Sequence, residues 1–373
     1  MDSNRVRPLA NRLGRYAHID ALRAYAVLVV VVSHLWPDLA VPGGSGVTLF
    51  FAISGFVITL VTLKEFDRTG GFSVRGFYWR RCLKIIPPFV AIIAVPTLVY
   101  AVFRPVNWGR FLSQVFFFYN WTREPEGPGV LPGSGVTWSL AIEEQFYIAF
   151  ALAWLWLVHR SGRPIRVLAY GAVVMSCLAI TERFAFAFAG ASWERSYYGT
   201  DTRLDSIGIG VLTAIVFYRK LANNLWRRVS AIFRSDWMLL AMIMLYLASV
   251  AVRNDMFRDT IRYTAQSAVA CGLILYGMLR PNSPTRIRLA FEKVVSVRFV
   301  QVVGLSSYSL YLVHAPVFHL VSFVTGEFAL AGLWALVVSF GAMGLAITAG
   351  YLSWRLIETP ALRLKQLFSS ERT

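Results

Sequence analysis

Apolar runs of roughly 16 to 25 residues recur from one end of this chain to the other. In hydrocarbon a backbone N–H or C=O finds no water, and segments of this length satisfy those groups internally as α-helices. The 373 residues are 57% hydrophobic and only 15% charged, which leaves too little polar surface for an ordinary water-soluble domain of this size. The chain therefore reads as an all-α, polytopic integral membrane bundle. About ten transmembrane helices are expected, near residues 18–37, 45–64, 83–103, 138–158, 167–189, 204–218, 237–252, 261–279, 304–324 and 328–356.

Arg5, Arg7, Arg12 and Arg15 precede the first run, but no small-residue cleavage site follows it, so it reads as a retained helix and not a removed signal peptide. The net charge of +17 raises nucleic acid as a partner, and the placement of the 37 basic residues answers that. The segments on the N-terminal side of the expected bundle hold 26 of them and the opposite loops hold 8. By the positive-inside rule both termini are cytoplasmic, the basic balance reports topology, and nucleic acid is excluded. The expected organisation is a basic cytoplasmic N-terminus at 1–17, a membrane domain at 18–358 and a basic cytoplasmic tail at 359–373. The aromatic run 111–121 is too short to span and reads as interfacial or re-entrant on the outer side. The stretch 72–88 alternates aromatic and basic residues before Pro87-Pro88 and reads as an inner-surface helix feeding span three. Cys82, Cys177 and Cys271 lack metal or disulfide spacing, and the carboxylates and histidines do not fall in ligand spacing, so no metal is expected.

Ionisable residues inside apolar runs cost several kcal/mol unless paired or facing a polar cavity, which makes each a candidate for function. Span one, DALRAYAVLVVVVSHLWP, carries Arg23 and His34. Eleven helical steps return to nearly the same face after a rise of about 16 Å, so the pair places a cation in the inner third and a base in the outer half. Span four runs the other way and brings Glu143 to the level of His34. Ser139 and Glu143 share a face at i and i+4, whereas Glu144 points about 100° away and is assigned to helix packing. Span six opens with Thr202-Arg203-Leu204-Asp205-Ser206, where Arg203 and Asp205 diverge toward different partners. Span nine, GLSSYSLYLVHAPVFHL, sets His314 near the midplane with Pro316 behind it. Trp121, Trp138 and Tyr147 are candidate platforms for a sugar ring, the ordinary alternative being an interfacial aromatic belt. At the inner mouth of span three, Arg80, Arg81 and Lys84 form a cationic cluster. Anionic lipid headgroups account for such a cluster, and so does a phosphorylated cosubstrate, because guanidinium forks match phosphate oxygens. Gly43, Gly44 and Gly46 lack a following GK[ST] and are read as packing residues, not a phosphate loop.

Taken in order, DALRAYAVLVVVVSH, LFFAISGF, FYWRRCLKIIPP, WSLAIEEQFY, TRLDSIGIG, SYSLYLVHAPV and IETP resemble the acyltransferase-3 family of bacterial membrane O-acyltransferases. Any one motif is weak, and seven in register span nearly the whole chain. The resemblance implies that Arg23 and His34 are central to activity. The family's RRxxR pattern is met by Arg80 and Arg81, while Lys84 keeps the last charge and loses the fork; its WSLxxE element supplies Trp138, Ser139 and Glu143. Many such proteins carry an extra extracytoplasmic hydrolase-like domain, and this sequence resembles the stand-alone branch. The activity implied is transfer of a small acyl group, most often acetyl from acetyl-CoA, to a hydroxyl of a cell-surface carbohydrate or its lipid-linked precursor, in the bacterial cytoplasmic membrane and without a permanently bound cofactor.

The residues fit that chemistry. Coenzyme A phosphates would sit among Arg80, Arg81, Lys84 and Arg23, and the pantetheine arm, on the order of 15–20 Å, matches the rise from Arg23 to His34. His34 would act as general base with Glu143 orienting the ring, because a neutral imidazole titrates near the working pH. Arg203, His314 or a backbone amide would stabilise the oxyanion, with Arg203, Asp205, Trp138 and His314 assigned to the substrate. The alternatives are acylation of a cytosolic small molecule such as an antibiotic, and a transporter or flippase, for which ionisable residues at staggered depths also make a path.

Overall fold

A computed structural model describes residues 16–39, 41–123, 129–219, 223–281, 283–326 and 333–364. The basic N-terminal residues Arg5, Arg7, Arg12 and Arg15 and the tail residues Lys365 and Arg372 lie outside the described residues, as do both termini. No β-strand occurs among the described residues, and a helix stands at each of the ten expected spans. They are α1 (Ala17–Leu35), α2 (Gly43–Thr69), α3 (Val74–Phe103), α4 (Thr137–Arg160) and α5 (Pro164–Phe188), then α6 (Leu204–Arg219), α7 (Asp236–Ala251), α8 (Ile261–Met278), α9 (Ser307–Thr325) and α10 (Leu333–Arg363). Seven of them, α1 to α5, α9 and α10, are long and apolar enough to cross a membrane. Of the remaining three, α6 and α7 have 16 residues and α8 has 18. The helix Trp226–Arg234 joins α7 across a 74° bend, a pair that would raise the number to eight.

One local expectation is revised. The stretch 72–88 is not a separate surface helix, because it runs on without interruption into the third span. Pro87 and Pro88 withdraw two N–H donors from the helical ladder, and the chain absorbs this by widening to a π-helical turn over Val90–Ala94, where the Val90 amide reaches both Ile86 O and Pro87 O. The run 111–121 forms two short helices, Trp108–Val115 and Tyr119–Thr122, broken at Phe117, whose φ is 58°.

The chain sorts into two compact units. The first comprises Met1–Ala26, Gly44–Phe72 and Leu152–Gly304. Its helices approach through glycines: a Cβ on Gly55 would lie 2.1 Å from Ile207 O on α6, and one on Gly210 would lie 2.2 Å from Ala52 O on α2. Without side chains between them the two backbones pack directly, which is how helices associate where lipid removes the usual hydrophobic driving force. Ile53, Phe56, Leu60, Ala214, Ile274 and Met278 fill the space around that crossing.

The second unit comprises Val27–Gly43, Ser73–Ala151 and Leu305–Thr373. Ile85, Phe89 and Ile93 of α3, Leu140 of α4 and Leu312 of α9 form its apolar core. Gly133 has φ +81° and touches α9, where a Cβ would come within 2.3 Å of the Ala315 carbonyl carbon. Only glycine meets both demands, and the short 3-10 turn Ser134–Val136 that leads into α4 is thereby seated on α9 beside Pro316.

Candidate active site

In the second unit, the last turn of α1 presents His34 with its side chain exposed. Its Nδ1 lies 2.9 Å from Val30 O, one turn back, and because a carbonyl can only accept, Nδ1 carries the proton. The neutral ring therefore keeps its lone pair on Nε2. Ser33 donates to the same carbonyl at 2.8 Å, so this oxygen holds the turn's polar side chains along one line. Against His34 stands the ring of His314 from α9, edge to face with centroids 5.1 Å apart. His314 is fully buried, its Nδ1 lies 3.3 Å from Leu310 O, and its Nε2 has no hydrogen-bond partner among the described residues. Two imidazoles thus meet edge to face, each tied by Nδ1 to its own helix.

Tyr311, one turn before His314, packs its ring 5.7 Å from the imidazole and donates its hydroxyl to Val136 O at 3.1 Å. That leaves the phenol oxygen to accept from Ser139 Oγ at 2.7 Å, a buried link between α4 and α9 that fixes the face on which His314 stands. Trp138, a substrate-platform candidate, is 6% exposed. Trp121 is 51% exposed and donates Nε1 to Gln145 Oε1 at 3.2 Å, so it is the most exposed of the candidate platforms.

The predicted partner of His34, Glu143, accepts from the Tyr147 hydroxyl at 3.1 Å. The polar contacts of His34 among the described residues are Val30 O and the His314 ring, and Glu143 is not one of them. Arg81 lies over the Tyr147 ring at 3.1 Å from its centroid and reaches Glu144 Oε1 at 3.6 Å. The structure thus gathers Arg81, Glu144, Tyr147 and, through Tyr147, Glu143 on the facing sides of α3 and α4, with Tyr308 of α9 donating to Ile85 O at 3.0 Å beside them. Glu144, assigned to packing from its helical phase, is the ion-pair partner of Arg81. Arg80 and Lys84 flank Arg81 on the same helix.

In the first unit, Arg23 on α1 is half-buried and its Nε is sequestered with no acceptor among the described residues. Asp205 is fully buried and grips Arg183 of α5 in a two-point pair, with Nη1 to Oδ1 and Nη2 to Oδ2 both at 2.8 Å. Arg183 also donates to Thr260 O, Thr202 O and Thr264 Oγ1. Arg203, two residues before Asp205, has a different partner, donating Nη2 to Thr48 Oγ1 at 2.7 Å. The divergence expected from their spacing is what the structure has. Sequence reasoning passed over Arg183, although a charged residue inside an apolar run was the available signal. It also passed over Glu358 in the closing IETP, a buried carboxylate that accepts from Ser309 Oγ at 3.1 Å in the second unit.

Outside the spans, Asp201 in the 3-10 turn before α6 binds Arg195 through both carboxylate oxygens. Burial alone would raise the Asp201 carboxyl, but the Arg195 guanidinium and the Thr202 N–H outweigh it and hold the carboxyl below its ordinary value.

Residues 16–353 match the acyltransferase-3 family, described as an acyltransferase domain. The chain belongs to this family. The match takes in every residue named in this subsection except Glu358. Among curated relatives, O-acetyltransferase OatA of Staphylococcus aureus strain NCTC 8325 is 26% identical over 357 residues. The putative O-acetyltransferase SACOL0978 of Staphylococcus aureus strain COL is 30% identical over 363. In both cases the alignment covers 92% of this chain and 56% of the relative, so the chain spans just over half the length of these proteins. No solved structure matches the chain at a significant level.

Proposed function

We propose that this protein is a membrane O-acyltransferase that moves a small acyl group, acetyl in the first instance, from an acyl-CoA to a hydroxyl of a cell-surface carbohydrate or its lipid-linked precursor. Membership of the acyltransferase family and the names of its O-acetyltransferase relatives support the reaction class. The observation that carries the reading is His34: an exposed imidazole whose Nδ1 is tied to Val30 O and whose Nε2 is left as the base.

In this reaction the acceptor hydroxyl gives its proton to His34 Nε2 as its oxygen attacks the thioester carbonyl. The tetrahedral intermediate collapses with cleavage of the C–S bond, and the proton passes from the imidazolium to the departing thiolate. The buried ring of His314 holds the plane of His34, and the Ser139–Tyr311 link holds His314. Arg80, Arg81 and Lys84 are assigned to the phosphates of the donor, where Arg81 brings a guanidinium already braced by Tyr147 and Glu144. Arg23 is a second phosphate candidate, since its sequestered Nε lacks an acceptor. Glu143 is assigned to the reaction through the Arg81 cluster, Trp138 and Trp121 to the acceptor side.

The test uses purified protein in detergent, where thiol release from acetyl-CoA in the presence of a glycan acceptor needs no sealed compartment. His34→Ala should lower turnover by about 10²- to 10⁴-fold, the usual worth of a general base, while the protein still reaches the membrane. Undiminished thiol release by that variant overturns the assignment. Failure of the native protein to consume any acyl-CoA with any glycan or lipid-linked glycan overturns the reaction.

A further inference from the structure

Among the described residues of the first unit, one buried positive charge has no carboxylate of its own. Arg203 is 0% exposed; its Nη2 meets Thr48 Oγ1, while Nε and Nη1 are sequestered with no acceptor among the described residues. Its guanidinium lies 3.9 Å from the centroid of Tyr263 and 5.6 Å from that of Tyr197. The carboxylate two residues on, Asp205, is already held at two points by Arg183, which leaves two fully buried guanidiniums to one buried carboxylate. A guanidinium confined this way without a counter-ion loses far more solvation than one hydrogen bond and the neighbouring aromatic faces return.

The backbone adds to the same imbalance. Three helices begin at this point: Thr48 lies in the second turn of α2, Arg203 immediately precedes α6, and Tyr263 and Thr264 lie in the first turn of α8. Each N-terminus carries roughly half a positive charge from its aligned peptide dipoles. The first turn of α2 is Gly43-Gly44-Ser45-Gly46, whose Gly43 amide donates to Val41 O at 2.8 Å. Tyr197 is seated on that turn, since a Cβ on Gly44 would lie 3.0 Å from its ring, so the aromatic wall of Arg203 and the glycine turn are one surface. Convergent helix N-termini and a desolvated guanidinium are what binds oxyanions elsewhere in proteins.

We propose that this niche is an oxyanion-binding site, in which a phosphate or carboxylate group carried by the acceptor docks on Arg203 at the opening of α2. That the oxyanion belongs to the acceptor rests on the acyl-transfer reading; that the niche binds one does not.

The experiment uses the full chain purified in detergent with no acyl donor, following the unfolding temperature as inorganic phosphate or glucuronate is titrated against chloride at matched ionic strength. Saturable stabilisation by one of the two beyond chloride is the expected result, phosphate marking a lipid-linked or phosphorylated acceptor and glucuronate an acidic sugar. Arg203→Met should be at least as heat-resistant as the native chain without added anion, because it removes an unbalanced charge, and should give no response to either anion. Arg203→Lys, which keeps the charge and loses the planar donors, should need about tenfold more anion for half-saturation. A native chain that treats phosphate and glucuronate like chloride, or an Arg203→Met variant that keeps the response, overturns the proposal. If Arg203→Met cannot be recovered folded, an unchanged titration in Arg203→Lys does the same. Thiol release from acetyl-CoA is read separately, so a failure of anion binding and a failure of acyl transfer remain distinguishable.

Discussion

Arg183 and Asp205 show what a single pair of residues contributes inside this molecule. Both are fully buried, and each is the main electrostatic partner of the other. Removing one partner leaves the other desolvated and unmatched, so Arg183→Met or Asp205→Asn should each destabilise the protein by about 3–5 kcal/mol. The double variant Arg183→Met/Asp205→Leu should recover most of that loss in thermal unfolding, because neither member of the pair is left without the other. Asp201 and Arg195 behave differently, being about one-third exposed, and their pair is worth at most about 1 kcal/mol after solvent screening. The sign follows from the lowered Asp201 carboxyl: its contribution is complete above the ordinary value of 3.8 and is lost as pH falls through the still lower folded value. Asp201→Asn should therefore flatten the acid limb of stability below about pH 4, measured by unfolding at stepped pH. A variant whose stability still falls as steeply through that window would show that another group controls it. The candidate residues were partly legible, since a charge in an apolar run announces its own cost: Arg23, His34 and His314 stand out that way, Arg81 by its place in a basic cluster and Arg203 at the opening of a span. Their partners were not, because Glu143 and Glu144 differ only by helical phase. Which of them meets Arg81 is decided by how α3 lies on α4.

At the scale of the element, glycine placement separates contacts from open surface. Gly210→Ala would push a Cβ to 2.2 Å from Ala52 O and 2.8 Å from the Phe56 nitrogen, both backbone atoms that cannot rotate away. The α2–α6 crossing must widen, at about 1–3 kcal/mol. Gly341 on α10 has nothing within 4 Å, and Gly341→Ala should be neutral or stabilising by up to about 1 kcal/mol through helix propensity alone. Parallel thermal unfolding of the two variants checks the contrast, and equal effects would mean that the crossing is not tight. A helix at each expected span was legible because long apolar runs leave the backbone no alternative. The continuity of α3 was not, because Pro87-Pro88 reads as a break. A π-turn that restores the ladder has no signature in composition.

For the whole molecule, hydropathy and motif order were enough to place the chain in its family, since both survive at 26% to 30% identity. What they could not supply is distance between segments far apart in sequence. His34 and His314 are 280 positions apart, and no periodicity links the end of α1 to the middle of α9. The tether from His34 Nδ1 to Val30 O has one more consequence. It leaves a single nitrogen of that ring open to electrophiles, so diethyl pyrocarbonate should add one carbethoxy group to His34 and spare the enclosed His314, as peptide mass mapping would record. Equal labelling of the two rings would contradict the shielding. On the proposed reading, a bound acyl donor should erase the mark on His34, turning one tethered imidazole into an occupancy gauge for the donor.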